Sequence, residues 1–206
     1  IKPYIGKDLT LVSTNDSGIY DAWNKCILYA NSICKEDFWF NFLGSDDYLL
    51  EGFLYYINFI FLKNDENINL YTAISFYDGF KNKITLGNPL NKVKLLYSMQ
   101  LSNSTAIYKS NLFKKKLFDT SYKISGDYDF IIRNQKEIKS KHIPCTITFV
   151  KAGGVSVKYK TEATKEALRS RMNYYKYNPA VLIIYIMYIL SDFIIYKLKY
   201  NKLKYI

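Results

Sequence analysis

The chain has 206 residues, of which 49% are hydrophobic and 17% aromatic, and its formal net charge is +11 at pH 7. This composition predicts one medium domain with a sizeable core and excludes a disordered chain. Most of the cations follow residue 107, but no zinc-finger spacing, RNA-binding aromatic signature or Arg-rich arm accompanies them. The charge therefore predicts contact with an anionic membrane surface and not with nucleic acid.

Hydrophobic periodicity and turn signals predict alternating strands and helices along the chain. The predicted strands cover residues 9–13, 37–43, 69–77, 83–86, 105–109 and 143–151, and the predicted helices cover residues 19–33, 49–62, 127–137, 161–175 and 180–199. This alternation is typical of an α/β fold.

Cys26, Cys34 and Cys145 include no Cys-X-X-Cys pair, and His142 is the one histidine. A zinc site is therefore not expected. Free thiols suit a reducing cytoplasm, although small core residues also explain all three cysteines.

Two adjacent carboxylates, Asp46 and Asp47, close the apolar run of the second predicted strand. Ligands bind at the carboxyl ends of strands in open α/β sheets. The two carboxylates repel each other, and Mg²⁺ or Mn²⁺ would relieve the repulsion and bridge to substrate phosphates. A solvated Ser-Asp-Asp turn also explains these residues.

Two stretches taken together, Gly18–Lys25 and Phe42–Asp47, resemble the core of family-2 glycosyltransferases, which are inverting enzymes of the GT-A fold. The resemblance implies a GT-A-like, Rossmann-related mixed sheet flanked by helices. It makes Asp47 the metal ligand in the family's Asp-X-Asp motif. The residues that it implies for binding of a nucleotide-diphosphate sugar are Asp21, Asn24, Lys25, Ser45 and Asp46.

A third segment, Ser125–Phe130, is similar to the part of the family that carries the general base, and the resemblance maps this role onto Asp127. Asp129 is a candidate for acceptor contact or support. Without the family pattern, the two acids are equally well explained by a helix N-terminal dipole with Ser125 as the cap.

Two further segments fit the same family. Ser104–Phe113 resembles a strand and turn that often begins with His-Gln in relatives, and Asn103 and Ser104 stand at those two positions as candidates for acceptor contact or support. Gly153–Ser156 resembles the loop that follows the last strand.

The resemblance extends from about Leu9 to about Arg171, and the family's first strands and nucleotide loop have no counterpart before it. We therefore expect residues 1–178 to form a partial GT-A domain that lacks its amino-terminal strands and belongs to a longer enzyme. A sheet without those strands would expose unpaired edges.

Residues 179–206 predict an apolar and then basic carboxyl-terminal helical extension. Between Ala180 and Tyr196 only Ser191 and Asp192 are neither apolar nor Tyr. This run would span about 26 Å, which is short of the roughly 30 Å bilayer core. The helix is expected to lie in a membrane interface or, alternatively, to be a core or dimer helix.

The resemblance implies a metal-dependent, inverting hexosyltransferase for lipopolysaccharide or capsule polysaccharide. It would be peripheral on the inner, cytoplasmic face of the cytoplasmic membrane and would transfer a sugar to a glycan or lipid-linked acceptor. Alternatives are a non-catalytic glycosyltransferase-like half and a basic membrane-surface interaction protein. A homo-oligomer is compatible with each alternative.

Overall fold

A computed structural model describes residues 10–63, 65–78, 84–151, 154–176, 178–184, 186–187 and 190. The helices are α1 (Ile19–Ile33), α2 (Gly52–Lys63), α3 (Gly126–Asn134), α4 (Val155–Lys158) and α5 (Lys160–Tyr175). The strands are β1 (Trp39–Asn41), β2 (Tyr48–Leu49), β3 (Leu70–Asp78), β4 (Ile84–Leu86), β5 (Ile107–Lys109) and β6 (Ser140–Lys151). Short 3-10 turns cover Lys94–Leu96, Asn103–Thr105 and Ser110–Phe113.

The strands form one mixed sheet in the order β1-β5-β3-β6-β2, and β4 pairs with β3 beside this path. β5 is antiparallel to both β1 and β3, whereas β3 and β6 are parallel. Strands β1, β3 and β6 therefore run in the same direction, and their carboxyl ends lie at the same end of the sheet. The predicted mixed α/β architecture is confirmed.

The sheet buries both of its faces. Leu70 and Tyr71 are adjacent and fully buried, and because strand side chains alternate they point to opposite faces. Leu70 belongs to a large apolar cluster with α1 and α3, whereas Tyr71 belongs to a smaller cluster with α2. Helices thus cover the sheet on two sides.

Three expectations about individual elements were wrong in detail. Residues 10–13 of the expected strand 9–13 have no regular structure and pair with none of the described strands, and a strand needs a partner for its backbone hydrogen bonds. The expected buried strand 37–43 is represented by β1, which is short, half-buried and at one end of the strand order. The expected helix 127–137 ends at Asn134.

Helix α2 exposes part of its apolar surface. Tyr56 and Ile60 are buried, whereas Tyr55 and Leu62 are 78% and 86% exposed. Since α2 is apolar nearly all round, its periodicity does not select the buried face.

Of the predicted carboxyl-terminal helix, residues 179–184 are helical and residues 191–206 lie outside the described part of the chain. Among the described residues, no helix has both the length and the apolar character needed to cross a bilayer.

Candidate functional site

The carboxyl ends of the parallel strands border a cavity of about 600 Å³ that we call the acidic cavity. Segments from five parts of the chain meet there, one of which is the amino-terminal part of α1. The loop after β1 supplies Asp46 and Asp47, and the turn before β5 supplies Asn103 and Ser104. Asp127 comes from the start of α3, and residues 154–156 follow β6.

A second cavity of about 670 Å³ adjoins the first and shares Asp47, Asn103, Ser104 and Asp127 with it. It also reaches Arg171 on α5, so we call it the Arg171 cavity. Asp46 lines the acidic cavity but not the Arg171 cavity.

Gly44 allows the two carboxylates to fold back over their own loop. A Cβ atom at Gly44 would lie 2.9 Å from Asp47 Oδ2 and 3.3 Å from Asp46 Oδ1. Both oxygens therefore approach one point of the backbone. Burial and the charge of Asp46 raise the pKa of Asp47, and hydrogen bonds from the Lys151 and Gly44 backbone act against this rise.

The donor chemistry of Asp46 and Asp47 suits Mg²⁺ or Mn²⁺, which prefer carboxylate oxygens. Among the described residues, no group of three or more His, Cys, Asp or Glu side chains is placed to hold a metal ion. A cation at this position would also relieve the repulsion that raises the pKa of Asp47.

Asp127 lies in the first turn of α3 beside Tyr20 of α1. The single Tyr20 O–H is shared between Ile124 O at 2.7 Å and Asp127 Oδ1 at 3.3 Å, and the Tyr128 N–H donates to the same Oδ1 at 2.8 Å. Burial raises the pKa of Asp127, and the charge of Glu166 adds to this effect, while the two hydrogen bonds oppose it. A raised pKa improves a carboxylate as a proton acceptor near neutral pH.

The close approach of Tyr20 depends on Gly126. A Cβ atom at Gly126 would lie 2.7 Å from Cε2 of the Tyr20 ring. Tyr20 is buried, and burial raises the pKa of its hydroxyl, which therefore remains a donor. The residue links the first and third sequence motifs, although its type alone did not mark it as a site residue.

Glu166 of α5 organises the loop that leads into α3. Its carboxylate accepts the backbone N–H groups of Lys123, Ile124 and Ser125, each at 2.8 Å. Ser125 makes no side-chain cap bond, and its hydroxyl instead donates to Ala163 O at 2.9 Å. The side-chain cap expected from Ser125 was therefore wrong, and Glu166 binds the backbone of this loop instead.

The polar residues of α1 that were expected to bind the donor form hydrogen bonds within the chain and do not line the acidic cavity. Asp21 accepts Lys25 Nζ at 3.0 Å and the Ser17 N–H at 2.9 Å, and these bonds lower its pKa. Asn24 bonds the Phe118 backbone in both directions, through its Nδ2 at 2.8 Å and its Oδ1 at 3.0 Å. The α1 residues that line the acidic cavity are Ile19, Tyr20 and Trp23.

Ser45 is exposed and does not line either cavity. Asp129 is buried, and its carboxylate accepts Arg133 Nε at 2.5 Å and the Ser170 hydroxyl at 3.0 Å. These contacts support α3 and leave Asp129 outside the lining of both cavities.

Asn103 and Ser104 line both cavities together with Asp47 and Asp127. Asn103 Oδ1 accepts the Tyr108 hydroxyl at 2.7 Å, while its buried Nδ2 has no hydrogen-bond partner among the described residues. The Ser104 hydroxyl lies 2.9 Å from Ser102 Oγ and 3.3 Å from Thr148 Oγ1. The orphaned Nδ2 is therefore a candidate donor for a ligand oxygen.

Comparison of the chain with protein-family models gives no match, and comparison with curated proteins gives none either.

Proposed function

We propose that this chain carries the catalytic site of a metal-dependent, inverting glycosyltransferase with a GT-A-like fold. The observation that supports the proposal is that Asp46, Asp47 and Asp127 line one cavity although they come from segments about 80 residues apart. The two carboxylates that suit a metal ion, Asp46 and Asp47, and the proposed base face the same cavity at the carboxyl ends of parallel strands. Such a position suits a nucleotide-diphosphate sugar.

In this proposal the donor diphosphate binds beside the loop after β1. Asp47 is the metal ligand, and Asp46 assists at the ribose or at metal-bound water. When bound, Mg²⁺ or Mn²⁺ supplies positive charge that offsets the charge developing on the leaving diphosphate. Ser45 contacts the donor from the exposed side of the same loop.

Asp127 accepts the proton of an acceptor hydroxyl as that oxygen attacks the anomeric carbon from the face opposite the diphosphate. The new C–O bond forms while the bond to the diphosphate breaks, and the leaving group takes the bonding electrons. One displacement inverts the anomeric centre. The Tyr20 hydroxyl, which donates to Asp127, holds the carboxylate in position.

The other proposed residues act around this centre. Asn103 Nδ2 and the Ser104 hydroxyl contact the acceptor from the wall of the cavity. Asp21, Asn24 and Lys25 support donor binding by holding α1 in place, in keeping with their bonds to the chain. Asp129 supports α3 through Arg133 and Ser170.

The proposed location is the inner face of the cytoplasmic membrane, where a lipid-linked acceptor would be presented. Exposed apolar side chains on α2 support this location, and they are Leu54, Tyr55, Phe61 and Leu62. Further exposed apolar side chains near the carboxyl terminus are Leu182, Ile183, Ile186, Met187 and Leu190. The sequence continues with Lys197, Lys199, Lys202 and Lys204, which suit anionic lipid.

A panel of nucleotide-diphosphate sugars tests the proposed activity by calorimetry in Mn²⁺ and in chelator. Mn²⁺ should strengthen donor binding, and Asp47→Ala should abolish the difference. Asp65→Ala is a matched control, because Asp65 lies before the amino-terminal end of β3 and its carboxylate accepts only the Asn67 N–H in the described contacts. Equal donor affinity with and without Mn²⁺ in the unmodified protein would contradict the proposal.

Transfer assays then separate chemistry from binding. Asp127→Asn should lower transfer by at least about a hundredfold, the usual scale of general-base catalysis, and should leave metal-dependent donor binding nearly intact. Wild-type transfer by this variant would remove Asp127 from the mechanism.

A further inference from the structure

Arg171 is a buried cation in the wall of the larger cavity. It lies near the end of α5 and is 7% exposed. The Arg171 cavity also contains Asp47 and Asp127 in its lining. A ligand that fills this cavity therefore contacts Arg171 as well as Asp47 and Asp127.

The contacts of Arg171 fix its orientation but use few of its donors. Nε donates to the Tyr128 hydroxyl at 2.6 Å, and Nη2 donates to Tyr97 O at 2.8 Å. The guanidinium carbon also lies 5.1 Å from the centroid of the Tyr128 ring. The Tyr128 hydroxyl in turn donates to Leu95 O. An arginine has five N–H donors, so the described contacts leave several for a ligand.

The charge of Arg171 has no counter-ion among the described residues, since no carboxylate oxygen lies within 4 Å of its guanidinium nitrogens. Arg133 shows the contrasting arrangement, because its Nε lies 2.5 Å from Asp129. Arginine does not lose its proton in proteins, and a buried charge is costly unless it is paired. The neutral contacts of Arg171 orient this charge without neutralising it.

We propose that Arg171 is the cation of an oxyanion-binding subsite in this cavity, and that the subsite takes a carboxylate or phosphate group of the acceptor. The guanidinium fork matches the geometry of both groups. The assignment of this oxyanion to the acceptor rests on the proposed function, whereas oxyanion binding at Arg171 does not. The donor diphosphate is assigned to Asp46 and Asp47, and Asp46 does not line this cavity.

The carboxylates of Asp47 and Asp127 set where the oxyanion lies. Like charges repel, so the group is held at the Arg171 end of the cavity while a neutral hydroxyl of the same acceptor reaches Asp127. The subsite therefore selects acceptors that carry a negative charge at a distance from the attacking hydroxyl.

The chain contains only three arginines, Arg133, Arg169 and Arg171, so the Nε–H signals of arginine-labelled protein are few enough to follow individually by NMR. Arg171→Lys identifies the Arg171 signal and retains the positive charge. Inorganic phosphate and methyl glucuronide, added at constant ionic strength, should each move this signal in a saturable way if both groups fit. Neutral methyl glucoside should not move it.

Arg169→Gln is the matched control, because Arg169 lies on the same helix but contacts Ser121 and Tyr122 outside the cavity. It should leave oxyanion affinity unchanged, whereas Arg171→Gln should weaken it at least tenfold. The oxyanion with the lower Kd identifies the group that the subsite prefers. If neither probe moves the Arg171 signal in the unmodified protein, the subsite does not exist, and this result does not require any variant to fold.

Transfer assays distinguish failure of the subsite from failure of the proposed function. A saturable Arg171 shift without any glycosyl transfer would retain the subsite and refute the enzyme. Transfer to an anionic acceptor with the same KM in the unmodified protein and in Arg171→Gln would retain the enzyme and refute the subsite.

Discussion

Glu166→Gln is a sharp test of how α5 positions the proposed base. Glu166 Oε2 accepts two backbone N–H groups, from Ile124 and Ser125, and Oε1 accepts a third, from Lys123. Glutamine has nearly the same shape but offers one oxygen in place of two. Its NH₂ group would face a backbone N–H group from which it cannot accept a hydrogen bond.

The expected loss of stability follows from these three bonds. Hydrogen bonds to a charged acceptor contribute roughly 1.5–3 kcal/mol each, and neutral ones roughly 0.5–1.5 kcal/mol. The variant loses at least one bond outright and weakens the others, but water reaches this half-buried site and softens the loss. We expect the free energy of unfolding to fall by about 2–4 kcal/mol.

Urea denaturation at pH 7 measures this difference. Glu162→Gln is the control, because Glu162 is exposed on the first turn of the same helix and should cost no more than about 1 kcal/mol through the helix dipole. Equal unfolding midpoints for the two variants would refute the assignment of Glu166 as the anchor of this loop. If Glu166→Gln remains folded, the pKa of Asp127 should fall, because the Glu166 charge raises it.

Three further predictions concern the same cavity. Gly126→Ala places a Cβ 2.7 Å from the Tyr20 ring and should lower the free energy of unfolding, measured in urea, by about 1–3 kcal/mol; an unchanged midpoint would show that the ring moves aside freely. Gly44→Ala, which crowds Asp47 Oδ2, should weaken Mn²⁺-dependent donor binding in calorimetry about tenfold, equivalent to about 1.4 kcal/mol, and unaltered binding would contradict the loop geometry. The raised pKa of Asp127 adds stability that is complete below about pH 4 and is lost as pH rises through the folded-state pKa. Asp127→Asn should remove this pH-dependent loss of stability in urea titrations. An identical dependence of the free energy of unfolding on pH in both proteins would contradict the contribution of Asp127.

The sequence predicted the architecture well where local pattern and topology agree. The alternating apolar segments correspond to α1, α2, β3, β4, β6 and α5 with small shifts of their ends. The turn after the second predicted strand lies at the carboxyl ends of β1, β3 and β6, as the strand-end rule leads one to expect. The biochemical roles of the residues in this turn stay predictions.

The surroundings of individual polar side chains were less predictable, because they depend on contacts between distant segments. Asn24 belongs to the motif that implies donor binding, yet its amide bridges to the backbone of Phe118, which is 94 residues away. The sequence around Phe118 gives no signal for this bridge. A motif predicts residue types at a site, and it does not predict which of them face the cavity.

Helix α5 is the clearest case of a contribution that no motif signals. It is rich in charged residues, so its sequence indicates a helix and little else. Glu166 holds the loop before α3, Ser170 bonds Asp129, and Arg171 bonds Tyr128. Residues 166 and 170 are one helical turn apart and therefore share a face.

The partners of these three side chains are residues 123–125, 128 and 129. They lie directly before and after Asp127 in the sequence. Side chains about 40 residues further along the chain therefore hold the backbone and side chains on either side of the proposed base, while Tyr20 contacts its carboxylate. Because these contacts are hydrogen bonds with narrow geometry, we expect substitutions in α5 to change the orientation of Asp127 as well as the stability of the fold. A screen for altered activity should accordingly find α5 variants whose donor affinity is normal and whose transfer rate is reduced.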